Sequence, residues 1–541
     1  PSNGLYNKLI ALWQSHGLYY NQGAKKWLWQ RAKLFQTVED LYTQSFVLPY
    51  LVPMLENAGA NLMLPRERDT QRFELIIDND NTESESRYHE NTDIKNWNIK
   101  EPGFAHTKLE YLQGENPFTM GTYKEAECID NLDELSYTEW IPAIPEKGKY
   151  AVYVSYKSVR NSAPDARYTV YHKGGKTDFK INQTMGGGTW IYLGRFMFDK
   201  GRNNHYKVVL SNYSSMDNKV VTADAVKIGG GMGNIARMPN VQGILPNQKS
   251  SDTTKMAELT APIELIKPQI SNYPRYTEGA RYWLQWAGMP DSIYSRSKGK
   301  NDYTDDYQSR GIWVNYLAGG SSVLPNRQGL NMPIDMAFAF HSDAGTTIND
   351  SIIGTLSICT VTNADGKTTF ENGQSRWASR DLADIIQTQI TDDVRKNFAP
   401  EWVRRGLWNK NYSESRSPEV PVMLLELLSH QNFADMRYGL DPRFRFVVSR
   451  AIYKGILRYM YADSKQYVVQ PLPVQKFSCQ FKTKNSIQLS WNATIDSIEP
   501  TAVPEKYILY TRIDDGDFNN GQVINDIKTT VDIQSGKIYS F

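Results

Sequence analysis

The chain has 541 residues, of which 40% are hydrophobic and 22% are charged, so it can form about three or four folded domains at roughly 150 residues each. Its 61 Lys and Arg residues and 59 Asp and Glu residues give a net charge of +2, which excludes the basic surface typical of nucleic-acid-binding proteins. The three cysteines are too widely spaced for a CxxC metal site, and no apolar run reaches the roughly 18 residues of a membrane span.

The first elements have the strand–helix–strand order of a parallel sheet. Residues 8–14 are apolar and predict a buried strand, residues 39–58 predict a helix, and residues 61–65 predict a second strand. Because Pro49 and Pro53 lie inside the helical segment, we expect a kinked or divided helix.

A different pattern follows the second strand. Residues 78–100 are polar and charged and predict a loop or linker, and residues from about 105 to 231 alternate in short strands separated by turn residues. Apolar and polar residues that alternate with a period of two, together with regular turns, predict an antiparallel β-sandwich. The α/β pattern then resumes with an amphipathic helix at 378–398, an apolar strand in VPVMLLEL and a closing helix at 443–461. The sandwich therefore interrupts one α/β domain with a mostly parallel sheet.

The last part of the chain is rich in predicted β-strands, with Trp491 in the second of them. It resembles a fibronectin type III module, and GKIYSF resembles the sixth strand of such a module, so we expect the module to be truncated. The predicted division is residues 1–100 and 276–464 for the two parts of the α/β domain, 101–232 for the inserted sandwich, 233–275 for a linker, and 465–541 for the C-terminal module.

Four polar side chains are predicted to meet at one edge of the α/β sheet. His16 and His341 directly follow apolar strands, and ligands bind outside the carboxyl ends of the strands in such sheets. Glu426 lies near the end of another apolar strand, where a carboxylate is costly to bury unless it meets a metal, a cation or a donor. Glu39 begins the first helix.

This set fits a hydrolytic zinc site. Two imidazoles and one carboxylate can hold zinc while a position stays open for water, so we predict His16, Glu39 and His341 as ligands of one Zn²⁺. Glu426 would then be the carboxylate that takes a proton from the water and passes it to the leaving amine.

Ordinary interpretations remain for each of these residues. Glu39 could be a first-turn acid favoured by the helix dipole, and Asp40 is a rival for its role. Glu426 could be paired with Arg310 or Arg416. Further candidate site residues are Asp343, Arg310 and His430.

Four segments resemble the motifs of the zinc-dependent N-acetylmuramoyl-L-alanine amidases: SHG at His16, Glu39 with ENAGANLMLPRERD, HSDAG at His341, and PVMLLELLSHQN around Glu426. The resemblance implies an amidase fold, zinc, peptidoglycan as substrate, and a periplasmic or cell-surface location. The sequence departs from the pattern in having Ser-His-Gly-Leu at the first motif, a long aromatic stretch before Glu39, and one extra residue between Glu39 and Gly59.

The inserted sandwich resembles the golvesin domain, which also occurs in proteins labelled xanthan lyases, through TMGGGTWIYLGRFMF and VVTADAVKIGGG. This resemblance implies a module that binds carbohydrate or cell wall. It also keeps two alternatives open: a polysaccharide-active enzyme of the xanthan lyase type, and a non-catalytic wall- or glycan-binding protein on an amidase fold.

Overall fold

A six-stranded sheet forms the centre of the α/β domain in the computed structural model, which describes residues 4–80, 85–91, 95–237, 268–464 and 466–541. Most of the predicted linker at 233–275 falls outside the described residues. The strands of the sheet, in chain order, are β1 (Leu9–Gln14), β2 (Asn61–Met63), β3 (Met336–Asp343), β4 (Thr355–Cys359), β5 (Arg404–Asn409) and β6 (Val422–Ser429).

The sheet is mixed, with the spatial order β5-β4-β6-β3-β1-β2. Strands β2, β1, β3 and β6 are parallel to one another, whereas β4 is antiparallel to β6, and β5 is parallel to β4. The predicted parallel arrangement therefore holds for four strands, and the two strands at the other edge are reversed. The carboxyl ends of β1, β3 and β6 lie side by side at one edge of the sheet.

Alternate residues of these strands face two different cores, as the period of two along a strand requires. In β1, Ile10 and Leu12 pack into one core, while Ala11 and Trp13 pack into the other. Helices Trp377–Asn397 and Pro442–Met460 cover the first face, and helices Ala280–Trp286 and Asp302–Ala318 cover the second.

The predicted first helix is divided, as its two prolines suggest. It consists of Glu39–Tyr42, Gln44–Phe46, the π-helical turn Val47–Leu51 and Val52–Asn57. Pro49 lies in the π-helical turn and Pro53 in the first turn of the last segment, where a missing N–H costs little. In the described ranges the remaining helices are the 3₁₀ turns Pro117–Thr119, Leu132–Glu134 and Arg275–Thr277, and the α-helices Asp291–Tyr294, Ser413–Arg416 and Phe433–Gly439.

Antiparallel sheets fill the middle of the chain. One sheet has four strands, in the order Ile191–Phe198, Gly148–Val154, Val226–Ile228 and Leu75–Ile77, and a second has five, in the order Gly175–Ile181, Ala166–His172, Lys207–Ser211, Tyr137–Ile141 and Arg87–Asn91. A third sheet has three strands, Val220–Ala223, Gly121–Glu127 and Asn98–Gly103, and Ala143–Ile144 pairs with Gly201–Arg202. The pairing of these sheets begins at Leu75, before the predicted boundary at residue 101. Part of the predicted loop at 78–100 is thus strand.

The C-terminal residues form three small antiparallel sheets: Gln475–Thr483, Ser486–Asn492 and Lys528–Asp532; Tyr507–Leu509 and Gln522–Ile524; and Arg512–Ile513 with Tyr539–Ser540. Trp491 is buried with Leu489 and Leu509 in their core. A two-stranded sheet, Tyr19–Asn21 with Lys26–Leu28, lies between β1 and the first helix. Within the described ranges, none of the helices is both long and apolar enough to cross a membrane.

Candidate metal centre

His16 lies at the carboxyl end of β1, where two buried arginines hold the turn. Arg66 donates to the carbonyl of Gln14 at 2.7 Å and also to the carbonyl of His16, and Arg310 donates to the carbonyl of Ser15. Gly17 follows at a close approach to another segment, since a Cβ there would lie 2.4 Å from the carbonyl carbon of Glu278. The backbone of His16 is therefore fixed on both sides.

Glu39 places its carboxylate between the ends of β1 and β3. Its Oε2 lies 3.6 Å from Nδ1 of His16, and its Oε1 lies 3.4 Å from Nδ1 of His341. The backbone N–H of Ser342 donates to Oε1 at 3.1 Å. This contact orients the carboxylate, which is almost fully buried.

The ligand atoms of His16, Glu39 and His341 all lie within 4.8 Å of one another, and they form the only group of three His, Cys, Asp or Glu side chains with this property in the described part of the chain. Two ligand atoms on a tetrahedral zinc are about 3.3 Å apart, because Zn–N bonds are ~2.0–2.1 Å long. Nδ1 of His16 is buried and has no hydrogen-bond partner among the described residues. Both the spacing and this unpartnered nitrogen fit a metal ion.

The two imidazoles have opposite charge preferences. Burial, followed by the positive charge of His341, holds the pKa of His16 well below its ordinary value, so His16 is neutral. Burial also acts to lower the pKa of His341, but the carboxylates of Glu414 and Glu39 outweigh it and raise that pKa to about 10. A neutral imidazole is the form that binds a metal, so His341 would lose its Nδ1 proton when one is bound.

Glu426 is the neighbour of His341 across the β3–β6 pair. Its Oε2 is buried and has no hydrogen-bond partner in the described ranges. Burial raises the pKa of Glu426 to about 8, the charge of His341 opposes this shift, and the charge of Glu39 adds to it. The alternative that Glu426 pairs with Arg310 or Arg416 is not supported by the contacts of these arginines. Arg310 contacts Glu414, and Arg416 donates to the carbonyl of Asn411.

Two residues that sequence reasoning did not select reach the same group. Glu414, in the helix Ser413–Arg416, has its Oε2 3.1 Å from Nε2 of His341. Arg31 has its Nε 3.4 Å from Oε2 of Glu39. Neither residue follows an apolar strand or matches a motif. The only sequence signal near either of them is the long aromatic segment that contains Arg31.

The other predicted candidates lie around the group with different contacts. Both carboxylate oxygens of Asp40 are buried without a hydrogen-bond partner in the described residues, and burial, then the charge of Glu39, raises its pKa to about 6. Asp343 pairs with Arg405. His430 shares a 3.1 Å hydrogen bond with Ser342, and its Nδ1 lies 4.0 Å from Oε2 of Glu39. The structure thus brings Glu39, and not Asp40, into the group.

Comparison with known proteins gives partial likenesses. The family model of the golvesin C-terminal domain matches residues 121–230. No curated protein matches the chain. Among solved structures, a Paenibacillus xanthan lyase is 22% identical with a TM-score of 0.22, and the match covers 29% of this chain and 13% of the lyase.

Several N-acetylmuramoyl-L-alanine amidases are also similar. AmiC2 of Nostoc punctiforme is 15% identical with a TM-score of 0.19, and the match covers 24% of this chain and 59% of that protein. The CwlD amidase from Clostridioides difficile, solved with the GerS lipoprotein, is 16% identical with a TM-score of 0.21, and the match covers 32% of this chain and 68% of the amidase.

Proposed function

We propose that the protein is a zinc-dependent hydrolase that cleaves the amide between N-acetylmuramic acid and L-alanine in peptidoglycan. The observation that carries this proposal is the convergence of His16, Glu39 and His341 beside Glu426, whose Oε2 has no hydrogen-bond partner among the described residues. The choice of substrate is supported by the motif resemblance around these four residues.

Each residue has a distinct role in this reaction. His16 and His341 present ring nitrogens and Glu39 presents a carboxylate oxygen to one Zn²⁺, which would supply a polarised carbonyl and a more acidic water when bound. Glu426 accepts the proton of the attacking water and delivers it to the leaving nitrogen. Because its Oε2 has no competing partner in the described ranges, this oxygen is available to take the proton.

The remaining domains fit an extracellular role. We assign the golvesin-like sandwich to binding of peptidoglycan or a related glycan, and the C-terminal β-rich residues to a fibronectin type III-like module. Peptidoglycan lies outside the cytoplasmic membrane, so the proposed location is the periplasm or the cell surface.

The test is digestion of purified peptidoglycan by the zinc-loaded protein, with the release of lactyl-ended glycan and free L-alanine amino groups as the readout. Glu426→Gln is expected to lower turnover by at least about 100-fold, as loss of a general acid–base group does, while one zinc per chain is retained. Glu401→Gln, at an exposed position, is the matched control.

Three results would contradict the proposal. Undiminished turnover in Glu426→Gln would remove the proposed role of that carboxylate. A wild-type chain without stoichiometric zinc that yields unsaturated sugars from a polysaccharide would favour the lyase alternative. A chain that binds peptidoglycan but does not cleave it would favour the non-catalytic alternative.

A further inference from the structure

His341 is held at both of its ring nitrogens. Nδ1 lies 3.4 Å from Oε1 of Glu39 and therefore faces the metal group, that is, the candidate ligands His16, Glu39 and His341. Nε2 points the opposite way, where it lies 3.1 Å from Oε2 and 3.2 Å from Oε1 of Glu414. The imidazole thus bridges the metal group and a second carboxylate that is itself buried.

Glu414 is held in place by two further elements of the fold. Nε1 of Trp13, in β1, donates to Oε1 of Glu414 at 2.5 Å. Nη1 of Arg310, in the helix Asp302–Ala318, lies 3.1 Å from the same oxygen. Because Trp13 and Arg310 are both fully buried, these contacts leave Glu414 little freedom to move away from His341.

This arrangement fixes the tautomer of the imidazole. An ionised carboxylate accepts but cannot donate, so the hydrogen bond to Glu414 keeps a proton on Nε2. A neutral His341 must then carry its lone pair on Nδ1, the nitrogen that faces Glu39. Carboxylates in this position orient metal-binding histidines and raise their basicity.

His16 offers an internal comparison. Its Nδ1 faces Glu39 and has no hydrogen-bond partner in the described ranges, and no carboxylate other than Glu39 is recorded in contact with its ring. The two histidines of the group are therefore held differently, His16 through its backbone and His341 through its side chain.

We propose that Glu414 is a positioning residue for the metal centre, which acts through Nε2 of His341 and sets both the orientation and the tautomer of that ligand. The inference rests on the metal part of the proposed function and is independent of the substrate. Trp13 and Arg310 act one step further away, by holding Glu414.

The experiment measures zinc affinity by competition with a chromophoric chelator in the full chain. Glu414→Gln is expected to weaken zinc binding by about 10- to 100-fold, the usual effect of removing such a partner. The matched control is Glu419→Gln, because Glu419 lies five positions along the chain and pairs with the buried Arg376 at 2.7 Å without contacting a histidine. Zinc affinity in this control should equal that of the wild type.

A second variant and a second readout separate positioning from folding. Glu414→Asp keeps the charge beside Arg310 but shortens the side chain, so it should retain the apo melting temperature while still weakening zinc binding. The visible absorption spectrum of the cobalt-substituted protein, which reports ligand geometry, should change in both Glu414 variants and stay unchanged in Glu419→Gln.

Wild-type zinc affinity and an unaltered cobalt spectrum in Glu414→Asp would overturn the inference, whether or not the protein cleaves peptidoglycan. A wild type that binds no zinc would overturn both this inference and the metal site. A wild type that binds zinc and depends on Glu414 for affinity, but leaves peptidoglycan intact, would uphold the inference and contradict only the proposed substrate.

Discussion

The buried carboxyl of Asp224 should make the stability of the inserted sandwich depend on pH. Both oxygens of this side chain accept from the backbone N–H of Phe104 at 3.1 Å, and the residue is almost completely buried. Burial is the largest cause that raises its pKa from 3.8 to about 7. The folded sandwich therefore holds a proton that the unfolded chain releases near pH 4.

The sign and size of the effect follow from this difference. The pKa of Asp224 is higher in the folded chain than in the unfolded chain. Its protonated carboxyl therefore makes its full contribution to the unfolding free energy below about pH 4, and this contribution is lost as the pH rises to about 7. Each pH unit in this window costs ~1.36 kcal/mol, so the unfolding free energy should fall by about 3 kcal/mol between pH 5 and pH 8. Asp224→Asn cannot ionise and should lose this contribution, while Asp78, whose pKa is also raised by burial, keeps its own.

Native-state hydrogen exchange provides the assay, with opening free energies measured at pH 5 and pH 8 for the strands Gly148–Val154 and Val226–Ile228. Asp178→Asn is the control, because Asp178 is exposed on the same sandwich, where it accepts from Thr169. An equal loss of protection in the wild type and in Asp224→Asn would refute the reasoning, since the pH dependence would then come from other groups.

Two further predictions concern the metal group. Glu39→Gln should abolish stoichiometric zinc binding while Asp40→Asn retains it, as measured by metal analysis after dialysis; the reverse result would make Asp40 the ligand. Gly17→Ala should lower the unfolding free energy of the α/β domain by about 1–3 kcal/mol in urea titrations, because the new Cβ would meet the Glu278 backbone at 2.4 Å, and an unchanged midpoint would contradict that close approach.

The sequence was sufficient to locate polar residues toward the carboxyl ends of apolar strands. His16, His341 and Glu426 stand out because each interrupts or ends an apolar run, and parallel strands carry such residues to the same edge of a sheet. Glu414 could not be found in this way, since its contacts with Trp13, Arg310 and His341 join segments that are distant in the chain and depend on the packed fold.

The strands inside the predicted loop at 78–100 could not be recognised for a different reason. Strands Arg87–Asn91 and Asn98–Gly103 have few buried side chains, so they lack the alternation that marks a half-buried strand. Their backbones nevertheless pair with Tyr137–Ile141 and Gly121–Glu127. Strand pairing of this kind is set by the partner and leaves little trace in side-chain pattern.

The long aromatic segment before Glu39 lies outside the sheet and leaves Glu39 in contact with His16. After His16 the chain leaves the sheet as the pair Tyr19–Asn21 and Lys26–Leu28, and this pair packs on the second part of the α/β domain. The backbone N–H of Tyr20 donates to the hydroxyl oxygen of Tyr282 at 2.7 Å, and Nε2 of Gln30 donates to Asp306 at 2.8 Å.

These contacts hold the additional residues outside the sheet. Glu39 begins the helix that follows them, and its carboxylate contacts His16. The same excursion carries Arg31 to within 3.4 Å of Oε2 of Glu39, with part of its side chain exposed. The aromatic segment therefore supplies a partly exposed cation next to Glu39. Arg31 adds a positive charge beside the three proposed ligands without being one of them.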